Sequence, residues 1–437
     1  MITLKVDEFS CIKSVNFQVA PVTILIGPQG SGKSVTTKLV YFFFDILNNK
    51  QFQCAEKGIS LDSFKRDIAL QFSIWFPPSA WGRHRFSIVL EAGEIIIRIR
   101  RRVRRGVASD EIVVSFSEHF DIVYKDLQNS YEGYRLRQVG KEDGAITRTI
   151  DESWKIRVEL ERKIASTLGD AYFREQTFIP AGRAFFTSIG RLVAALEHGS
   201  LDPVTIRFAK LFANLRDNLS RGGVFRSPAR KEDTARRRTM RKLFGGDLRF
   251  ENDLEFVETS DGRRIPFTAL SSGQQELIPI WILLDFYIEI DDFRSNRKLP
   301  YEYSSLIYIE EPEAHLFPEA QSVLMDFLTG SLVSGSKKRS MILTTHSPYI
   351  LMKINNYLKA GTIGRSRKHA AEVLRLVPKQ CWLAPSRVKA YALADGTLVD
   401  LIGDDGLVDA SYIDSVSDEA SRIFSALLDI EYPETVG

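Results

Sequence analysis

The sequence VTILIGPQGSGKS at residues 22–34 joins a short apolar run to a glycine-rich loop that ends in Lys33 and Ser34. The first five residues have the length of a buried strand, and the mostly apolar stretch over residues 35–47 predicts a helix directly after the loop. The loop satisfies the pattern G-x-x-x-x-G-K-[ST] in the strand–loop–helix context that this pattern requires. The stretch therefore predicts a phosphate-binding loop within an α/β fold.

Each part of this phosphate loop has its own physical task. Glycines let the backbone approach a phosphate closely and point successive N–H groups at it, and the helix N-terminus adds a positive partial charge. Lys33 is placed to reach the β- and γ-phosphates, and the Ser34 hydroxyl is placed to coordinate Mg²⁺. A chance glycine-rich turn is the alternative, and the flanking strand and helix disfavour it. The predicted nucleotide-binding residues are Gly27, Pro28, Gln29, Gly30, Ser31, Gly32, Lys33, Ser34 and Val35.

A second apolar run, residues 306–309, ends in two adjacent carboxylates, Glu310 and Glu311. Ligands bind at the carboxyl ends of the strands in open α/β sheets, so a strand here places both acids beside the phosphate loop. Glu310 is then the acid on the Mg²⁺ side, and Glu311 is the general base for an attacking water. Paired acids after an apolar run often only begin a loop, and it is the combination with the phosphate loop that favours a site.

Two further turns are suited to contact an anion. Residues 270–275, LSSGQQ, open a predicted helix, and a plain helix cap with Glu276 as the capping acid is an alternative that is compatible with phosphate binding. Residues 344–348, TTHSP, follow a predicted buried strand, so His346 lies at a strand end where it can contact a γ-phosphate, although a lone histidine is usually structural. The candidate contacts of the first turn are Ser271, Ser272, Gly273 and Gln274.

The composition is that of a globular protein with a sizeable core. The chain has 437 residues, of which 44% are hydrophobic and 26% charged. No apolar run approaches the roughly eighteen residues of a membrane span, and charges interrupt the N-terminal apolar stretch, so we expect no membrane contact and a cytoplasmic location. The cysteines, Cys11, Cys54 and Cys381, form no C-x-x-C pair, which excludes a zinc ribbon and a disulfide framework.

The net charge of +3 hides two basic segments. Residues 98–105 hold six arginines and no acid, and residues 226–242 hold eight basic residues and two acids. A strand over the first segment places four arginines on one face, because side chains alternate along a strand. A solvated sheet face and a surface for DNA, RNA or an acidic partner both stay open for these segments. The four arginines are Arg98, Arg100, Arg102 and Arg104.

The rest of the chain alternates predicted strands with predicted helices. Buried strands between helices, with an antiparallel part near the start, predict a mixed α/β fold. Strands are predicted at 2–6, 12–19, 85–114, 177–180, 248–267, 306–309, 341–344 and in the tail 372–402. Helices are predicted at 153–175, 184–244 with breaks, 272–290, the stretch up to 332, 348–358 and 410–428.

Taken in order, these motifs resemble those of the ABC-type ATPase head, and more narrowly the RecF/SMC/OLD-like branch of AAA-family ATPases. Residues 310–318, EEPEAHLFP, are close to the branch's EEPExHLHP motif, and residues 344–348 match its TTHSP motif. Residues 177–183, TFIPAGR, resemble its YIPAxRS segment. The resemblance implies an ABC-type P-loop ATPase head with a mixed central sheet, an N-terminal antiparallel lobe and a helical lid insertion.

The resemblance also implies three regions. Residues 1–150 form an N-terminal ATPase lobe with the phosphate loop and antiparallel strands. Residues 151–268 form the helical lid and the basic insertion. Residues 269–437 form a C-terminal ATPase lobe. It contains the 270–275 turn, the acids Glu310 and Glu311, the family's switch histidine at His346, and the closing strands and helix.

The mechanism of this family implies ATP and Mg²⁺ as cofactors and two heads packed head to tail. Each ATP would lie between the phosphate loop of one copy and the 270–275 turn, called the signature turn below, of the other. Ser271 and Gly273 would serve the partner's nucleotide, and His346 the γ-phosphate of its own. Glu310 stands where the family more often has aspartate, which implies a shifted metal and slower turnover. Gln176 is the candidate for the family's metal-side glutamine.

The expected function is therefore ATP binding and hydrolysis. The chain has no room for a long coiled-coil arm between the phosphate loop and the signature turn, and no nuclease pattern follows His346. The resemblance implies a homo-oligomeric sensor or scaffold that controls a separate nuclease or toxin, as in anti-phage defence systems of the PARIS, Septu and retron-associated kinds. Two alternatives stay open: a RecF-like repair ATPase that binds duplex DNA, and an ATP-binding scaffold with little hydrolysis.

Overall fold

A computed structural model describes residues 2–104, 106–138, 146–189, 201–220, 234–251, 254–296, 304–334, 339–409 and 421–427. Its strands are β1 (Ile2–Phe9), β2 (Ile12–Val19), β3 (Val22–Ile26), β4 (Ser87–Ala92), β5 (Ile95–Arg104), β6 (Val107–Phe116), β7 (Phe173–Ile179), β8 (Gly246–Glu251), β9 (Leu254–Thr259), β10 (Arg264–Pro266), β11 (Ser304–Glu310), β12 (Arg339–Thr345), β13 (Val388–Ala394) and β14 (Thr397–Asp400).

The helices lie mostly between these strands. They are α1 (Lys33–Asp45), α2 (Gln51–Glu56), α3 (Leu61–Trp75), α4 (Glu118–Gln138), α5 (Ile146–Leu168), α6 (Ala184–Ile189), α7 (Pro203–Ser220), α8 (Thr234–Phe244), α9 (Ser272–Asn296), α10 (Pro318–Leu328), α11 (Pro348–Ile363) and α12 (Ala370–Leu376). Among the helices of the described residues, none combines the length and the apolar character needed to cross a bilayer.

A large mixed sheet organises the described part of the chain. Its eleven strands run in the order β6-β5-β4-β1-β2-β14-β13-β3-β12-β11-β7, and β10-β9-β8 form a separate small sheet. The pairs among β1, β2, β4, β5 and β6 are antiparallel, whereas β13, β3, β12, β11 and β7 are parallel neighbours. The predicted mixed α/β fold, with an antiparallel N-terminal part and a mixed central sheet, is confirmed.

The central parallel strands contain continuous apolar runs, as expected for strands that are covered on both faces. All five residues of β3 are buried, as are all seven of β12. Alternate residues enter two separate cores: Leu25 and Tyr308 pack on one side of the sheet, and Ile24 and Ile309 pack on the other. The burial of both faces fixes the register of these strands, and with it the edge where they end.

Several predicted elements differ from the structure in extent or type. The predicted strand at 177–180 begins earlier, at Phe173, and takes the end of the stretch that was expected to be helical. Residues 370–376 are helical rather than strand, because only β13 and β14 of the tail find a partner in the sheet. The strands expected at 248–267 form the three-stranded sheet β10-β9-β8. The predicted closing helix at 410–428 lies outside the described residues except for 421–427, which are helical.

Candidate functional site

The phosphate loop lies where the sequence places it, between the carboxyl end of β3 and the first residue of α1. Gly27 begins the loop with φ +150°, and a Cβ at this position would lie 2.2 Å from the carbonyl oxygen of Leu393 in β13. A side chain cannot be accommodated there without moving backbone, since real Cβ atoms do not approach oxygen so closely. The neighbouring strand β13 therefore helps to shape the loop.

Lys33 is buried at the base of this loop. Its Nζ donates to the carbonyl oxygens of Gly27 at 2.8 Å and Pro28 at 2.9 Å. Burial lowers the pKa of Lys33, and the charges of Glu311, Glu313 and Glu310 act in the opposite direction. The amine is thus held among carbonyl oxygens next to three carboxylates, a position from which it can exchange these contacts for phosphate oxygens.

The register of the parallel strands brings the two candidate acids to the same edge as the phosphate loop. Thr345 of β12 lies opposite Ile26 of β3, and Glu310 of β11 lies opposite Thr344. These pairs bring the carboxyl ends of β3, β12 and β11 level with one another. The sequence prediction that Glu310 and Glu311 lie at the strand ends next to the loop agrees with this arrangement.

Glu310 has the geometry of a metal ligand. Only 6% of the residue is exposed, and Oε2 accepts a hydrogen bond from the backbone N–H of Ala181 at 3.3 Å. Its other oxygen, Oε1, is buried and has no hydrogen-bond partner among the described residues, and the same is true of Ser31 Oγ. A buried carboxylate oxygen without a partner costs free energy unless a cation or donor satisfies it. The donor set fits Mg²⁺, which prefers carboxylate and hydroxyl oxygens together with those of phosphate.

Glu311 follows in a strained backbone conformation that aims it away from the strand. Its φ is +43°, a region that non-glycine residues seldom occupy. Its N–H donates to the carbonyl oxygen of Thr344 at 2.9 Å, and its Oε1 lies 3.4 Å from Nε2 of His346. Both side chains are partly exposed, so a water molecule and a phosphate group can reach them. The structure therefore brings together the predicted base and the predicted switch histidine.

Glu313 is a residue of this site to which the sequence motif gave no role. Its Oε1 accepts hydrogen bonds from Thr345 Oγ1 at 2.7 Å and from the backbone N–H of His346 at 2.6 Å. These contacts fix the turn that carries His346 onto the loop that carries Glu311. The sequence EEPE at residues 310–313 was the available signal for this role, since it places a third acid close to the first two.

The signature turn begins α9 and remains accessible. Ser271 accepts from the N–H of Gln274 at 3.4 Å, and Gln274 Oε1 accepts from the N–H of Ser271 at 3.2 Å, so the turn is a reciprocal helix cap. Gln274, and not Glu276 as in the alternative interpretation, is the reciprocal capping residue; Glu276 is 1% exposed and lies beside Arg183. A Cβ on Gly273 would lie 2.5 Å from the carbonyl oxygen of His315, which explains the glycine.

The side chains of the signature turn form hydrogen bonds within the turn and with α8 rather than with the phosphate loop. Ser271 and Ser272 are exposed, and Gln274 donates to the carbonyl oxygen of Phe244 in α8. Within the described residues no hydrogen bond or ion pair joins this turn to residues 27–34 of the same chain. The two predicted nucleotide-contacting segments are therefore not joined by such contacts within one copy.

Gln176 is not brought to this edge. It pairs with Leu306 in the sheet register, four residues before Glu310, which corresponds to about 13 Å along the strands. Its amide donates to the carbonyl oxygen of Tyr41 at 2.9 Å and accepts from Tyr308 Oη at 3.2 Å. These contacts occupy both ends of the side chain, so we do not include Gln176 among the proposed metal ligands.

The two basic segments differ in how far their charges are neutralised. In β5 the predicted alternation is confirmed, because Ile97 and Ile99 are buried while Arg98 and Arg100 are exposed. No acidic side chain of the described residues lies within ion-pair distance of those two arginines. Further along β5, Arg102 and Arg104 share Glu111.

The second basic segment is described only from residue 234 onward, because 226–233 lie outside the described residues. Arg237 and Arg241 of α8 both bind Asp247 and hold the pKa of that carboxyl well below its usual range. Arg236 pairs with Asp285 of α9. Most of the charge on α8 is therefore directed to acids of the same chain.

The chain is similar to a known family and to solved structures. The profile of the family described as "AAA domain, putative AbiEii toxin, Type IV TA system" matches residues 22–352, which is more than half of the chain. No curated protein matches the chain. Among solved structures, the SMC head domain from Thermotoga maritima is 14% identical, over 91% of this chain and 97% of that one, with a TM-score of 0.29. A TM-score of this size is too low to support a statement on fold or function.

Proposed function

The chain belongs to this family of AAA-type ATPase domains, and on that premise we propose that it binds ATP with Mg²⁺, hydrolyses it between two copies of the chain, and so controls a separate effector protein. The observation that carries the ATP site is the cluster at the ends of β3, β12 and β11. A buried lysine and three carboxylates lie on a loop–helix unit and strand edge of the kind that bind phosphate, and three buried oxygens of this cluster, Ser31 Oγ, Glu310 Oε1 and Glu313 Oε2, have no hydrogen-bond partner among the described residues.

Each residue of the cluster has a task in this proposal. The backbone of residues 27–33 and the Lys33 amine bind the phosphates, and Ser34 and Glu310 hold the metal. Bound Mg²⁺ would supply positive charge that neutralises the β- and γ-phosphates. Glu311 accepts the proton of the attacking water, and His346, 3.4 Å from it, orients that carboxylate and contacts the γ-phosphate.

The accessibility of the signature turn supports a second copy as the completing partner. Ser271 and Ser272 are exposed at the N-terminus of α9, an end that favours anions. Since no hydrogen bond or ion pair of the described residues ties them to their own phosphate loop, a phosphate bound to another copy is a suitable ligand. ATP would then act as the contact between two heads.

The role in defence rests on the sequence motifs and on the family description. The motifs resemble those of ATPases that work beside a separate effector, and the family description names a toxin of a toxin–antitoxin system. We propose that the ATP-bound dimer holds or releases such an effector. Copurification of the tagged chain with the product of a neighbouring gene would support this role, and recovery of the chain alone under ATP, ADP and nucleotide-free conditions would contradict it.

ATP binding is tested by exchanging the buried lysine. Lys33→Ala is expected to weaken binding of a fluorescent ATP analogue by at least about a hundredfold, because it removes a charge-assisted contact to two phosphates. Lys38→Ala is the matched control, since Lys38 lies on the same helix and pairs with Asp202 at 3.4 Å instead. Equal affinities of the two variants would overturn the assigned site.

The unpaired arginines favour DNA binding as a second candidate function. Arg98 and Arg100 point from the exposed face of β5 without acidic partners among the described residues. Duplex binding through them is expected to fall steeply with salt, and to weaken when both are changed to glutamate. Arg102→Glu together with Arg104→Glu is the comparison, since Glu111 already neutralises that pair in part. Unchanged affinity in the first variant would exclude this face.

The third reading, an ATP-dependent scaffold with little hydrolysis, differs from the proposal only in turnover. Glu310 carries one methylene more than the aspartate usual at this position, which shifts the metal relative to the attacking water. Measured release of phosphate below one molecule per hour from a chain that still dimerises with ATP would favour the scaffold, and Glu310→Asp would then be expected to raise turnover.

A further inference from the structure

Arg183 is a fully buried charge at the centre of the candidate site. It follows β7 at the end of the TFIPAGR segment, and its exposure is 0%. A buried guanidinium is costly in free energy unless all of its donors are satisfied, so each of its contacts is informative.

The guanidinium of Arg183 joins two parts of the site through backbone oxygens. Nη1 donates to the carbonyl oxygen of Glu310 at 2.8 Å and Nη2 to that of Glu311 at 3.1 Å. Nε donates to the carbonyl oxygen of Glu276 at 3.0 Å. A further bond from Nη1 to Pro180 at 3.1 Å closes the turn after β7. One side chain thus bridges the catalytic acids and the start of α9.

The end of Arg183 that faces α9 is also charged. Glu276 Oε2 lies 3.5 Å from Nε, and Glu276 is 1% exposed. Glu276 lies three residues after Gly273, so it belongs to the first turns of the helix that the signature turn opens. Any displacement of that turn therefore moves an oxygen to which Arg183 is bound.

At its other end, Arg183 binds the peptide group of Glu311, the proposed general base. Glu311 has φ +43°, and His315 further along the same loop has φ +58°. Such conformations persist only when neighbouring contacts impose them. Arg183 binds the carbonyl oxygen of Glu311, while a Cβ at Gly273 would lie only 2.5 Å from the carbonyl oxygen of His315. One end of this strained loop is thus bound by Arg183, and the other end packs closely against the signature turn.

We propose that Arg183 is a positioning residue that couples the two ATP sites of a dimer. This inference rests on the proposed head-to-tail arrangement, in which the signature turn of one copy contacts the nucleotide bound by the other. Phosphate on that turn would shift the first turn of α9, and Arg183 would transmit the shift to the backbone of Glu311 in the same copy. Occupation of one site would then align the base of the second.

The test compares two buried arginines in the full chain. Arg183→Lys keeps the charge, but a single ammonium cannot bind both the 310–311 carbonyls and Glu276. Arg339→Lys makes the same exchange at the opposite end of the parallel strands. Arg339 is the first residue of β12, and its guanidinium binds Asp291 of α9. ATP hydrolysis is measured over a range of ATP concentrations, with circular dichroism to check folding.

For Arg183→Lys we expect kcat to fall by about tenfold to a hundredfold, since small misplacements of a catalytic group have effects of this size. KM should change less than threefold, and the Hill coefficient should fall from above one to one. Arg339→Lys should keep both the wild-type kcat and the wild-type Hill coefficient. An Arg183→Lys variant with wild-type cooperativity, or a wild-type chain that hydrolyses ATP without cooperativity, would overturn the coupling while leaving the ATPase proposal intact.

A second variant covers the case that Arg183→Lys does not fold. Glu276→Gln keeps the size of the side chain and removes the charge that faces Arg183, and it should lower the Hill coefficient with a smaller loss of kcat. Glu319→Gln, an exposed acid in the first turn of α10, is its control. A Glu276→Gln variant that matches its control in both parameters would overturn the inference. A wild-type chain without ATPase activity would overturn the proposed function as well as this coupling.

Discussion

The strand edge with Lys33 and the face of β5 both concentrate charge, and they use it in opposite ways. At the edge, Lys33, Arg183 and Glu310 are buried, and Glu310 Oε1 has no partner among the described residues. On β5, Arg102 and Arg104 are about half exposed and share a single acid, Glu111. Buried charges at an edge of parallel strands are costly to maintain, whereas exposed pairs contribute little either way.

This difference shows why charge counts alone locate no site in this chain. The β5 segment is the densest basic run in the sequence, yet water and neighbouring acids compensate much of it. At the edge the charges are buried, and Glu310 Oε1 lies there without a partner among the described residues, where a metal ion could compensate it. The degree of burial, rather than the number of charges, distinguishes a candidate site from a solvated face.

The largest expected difference between the two regions is in ATP hydrolysis after removal of one carboxylate from each. Glu311→Gln is expected to reduce ATP hydrolysis by about a hundredfold to ten-thousandfold, because a general base is lost while its shape is kept. ATP binding should remain, and the measurement is phosphate release beside binding of a fluorescent analogue.

Glu111→Gln on the arginine face is the matched control for that loss. It exchanges the same atoms at a site where the charges are exposed, and we expect hydrolysis within twofold of the wild-type rate. If both variants hydrolyse ATP equally well, Glu311 is not the base.

A second comparison separates burial from function by measuring stability. Arg339 is 6% exposed, and its guanidinium forms two bonds to Asp291. Arg339→Met is expected to lower the free energy of unfolding by about 3–5 kcal/mol, because it removes the buried cation that binds this buried carboxylate through two hydrogen bonds. Arg104→Met should lower it by about 0–1 kcal/mol, and by less at high salt. Urea denaturation measures both, and equal losses would show that burial does not separate these charges.

The smallest of the three expected effects concerns Glu313, which binds the turn that carries His346. Glu313→Gln keeps a neutral acceptor for Thr345 and the His346 N–H but removes the charge, so we expect kcat to fall about tenfold with KM nearly unchanged. Steady-state kinetics give this split. Glu319→Gln again serves as the exposed control, and a rise in KM with unchanged kcat would contradict a role in orienting His346.

The parts of the fold that depend on local pattern were predictable from the sequence. The largely apolar runs at 22–26, 306–309 and 341–344 are short, and each ends in turn or acidic residues. Their burial as strands, with their carboxyl ends at one edge of the sheet, could therefore be predicted. The order of the sheet did not follow, because the pairing of β13 with β3 joins residues far apart in the chain. Residues 370–376 were misassigned because the sequence pattern could not show that they lack a partner strand.

The candidate site was predictable where a side chain is proposed to act on a ligand directly. The phosphate loop, Glu310, Glu311 and His346 belong to this class, and their positions agree with the prediction. Arg183 and Glu313 appeared in the quoted motifs without a role, because they bind backbone groups that a motif does not show: Arg183 binds carbonyl oxygens, and Glu313 binds the His346 N–H beside the Thr345 hydroxyl. A sequence does not show which backbone atoms a fold leaves in need of a partner.

The pairing of β13 with β3 also has a consequence during synthesis, because the phosphate loop has all of its neighbours only after both strands have been made. The ribosome makes β13 long after β3, so at about 5–20 residues per second roughly 20–70 s separate the two strands. During this interval β3 lacks one of its neighbours in the sheet, and Gly27 lacks the nearby carbonyl of Leu393. The nascent chain therefore carries the phosphate-loop sequence before the strand that helps to shape this loop has been made.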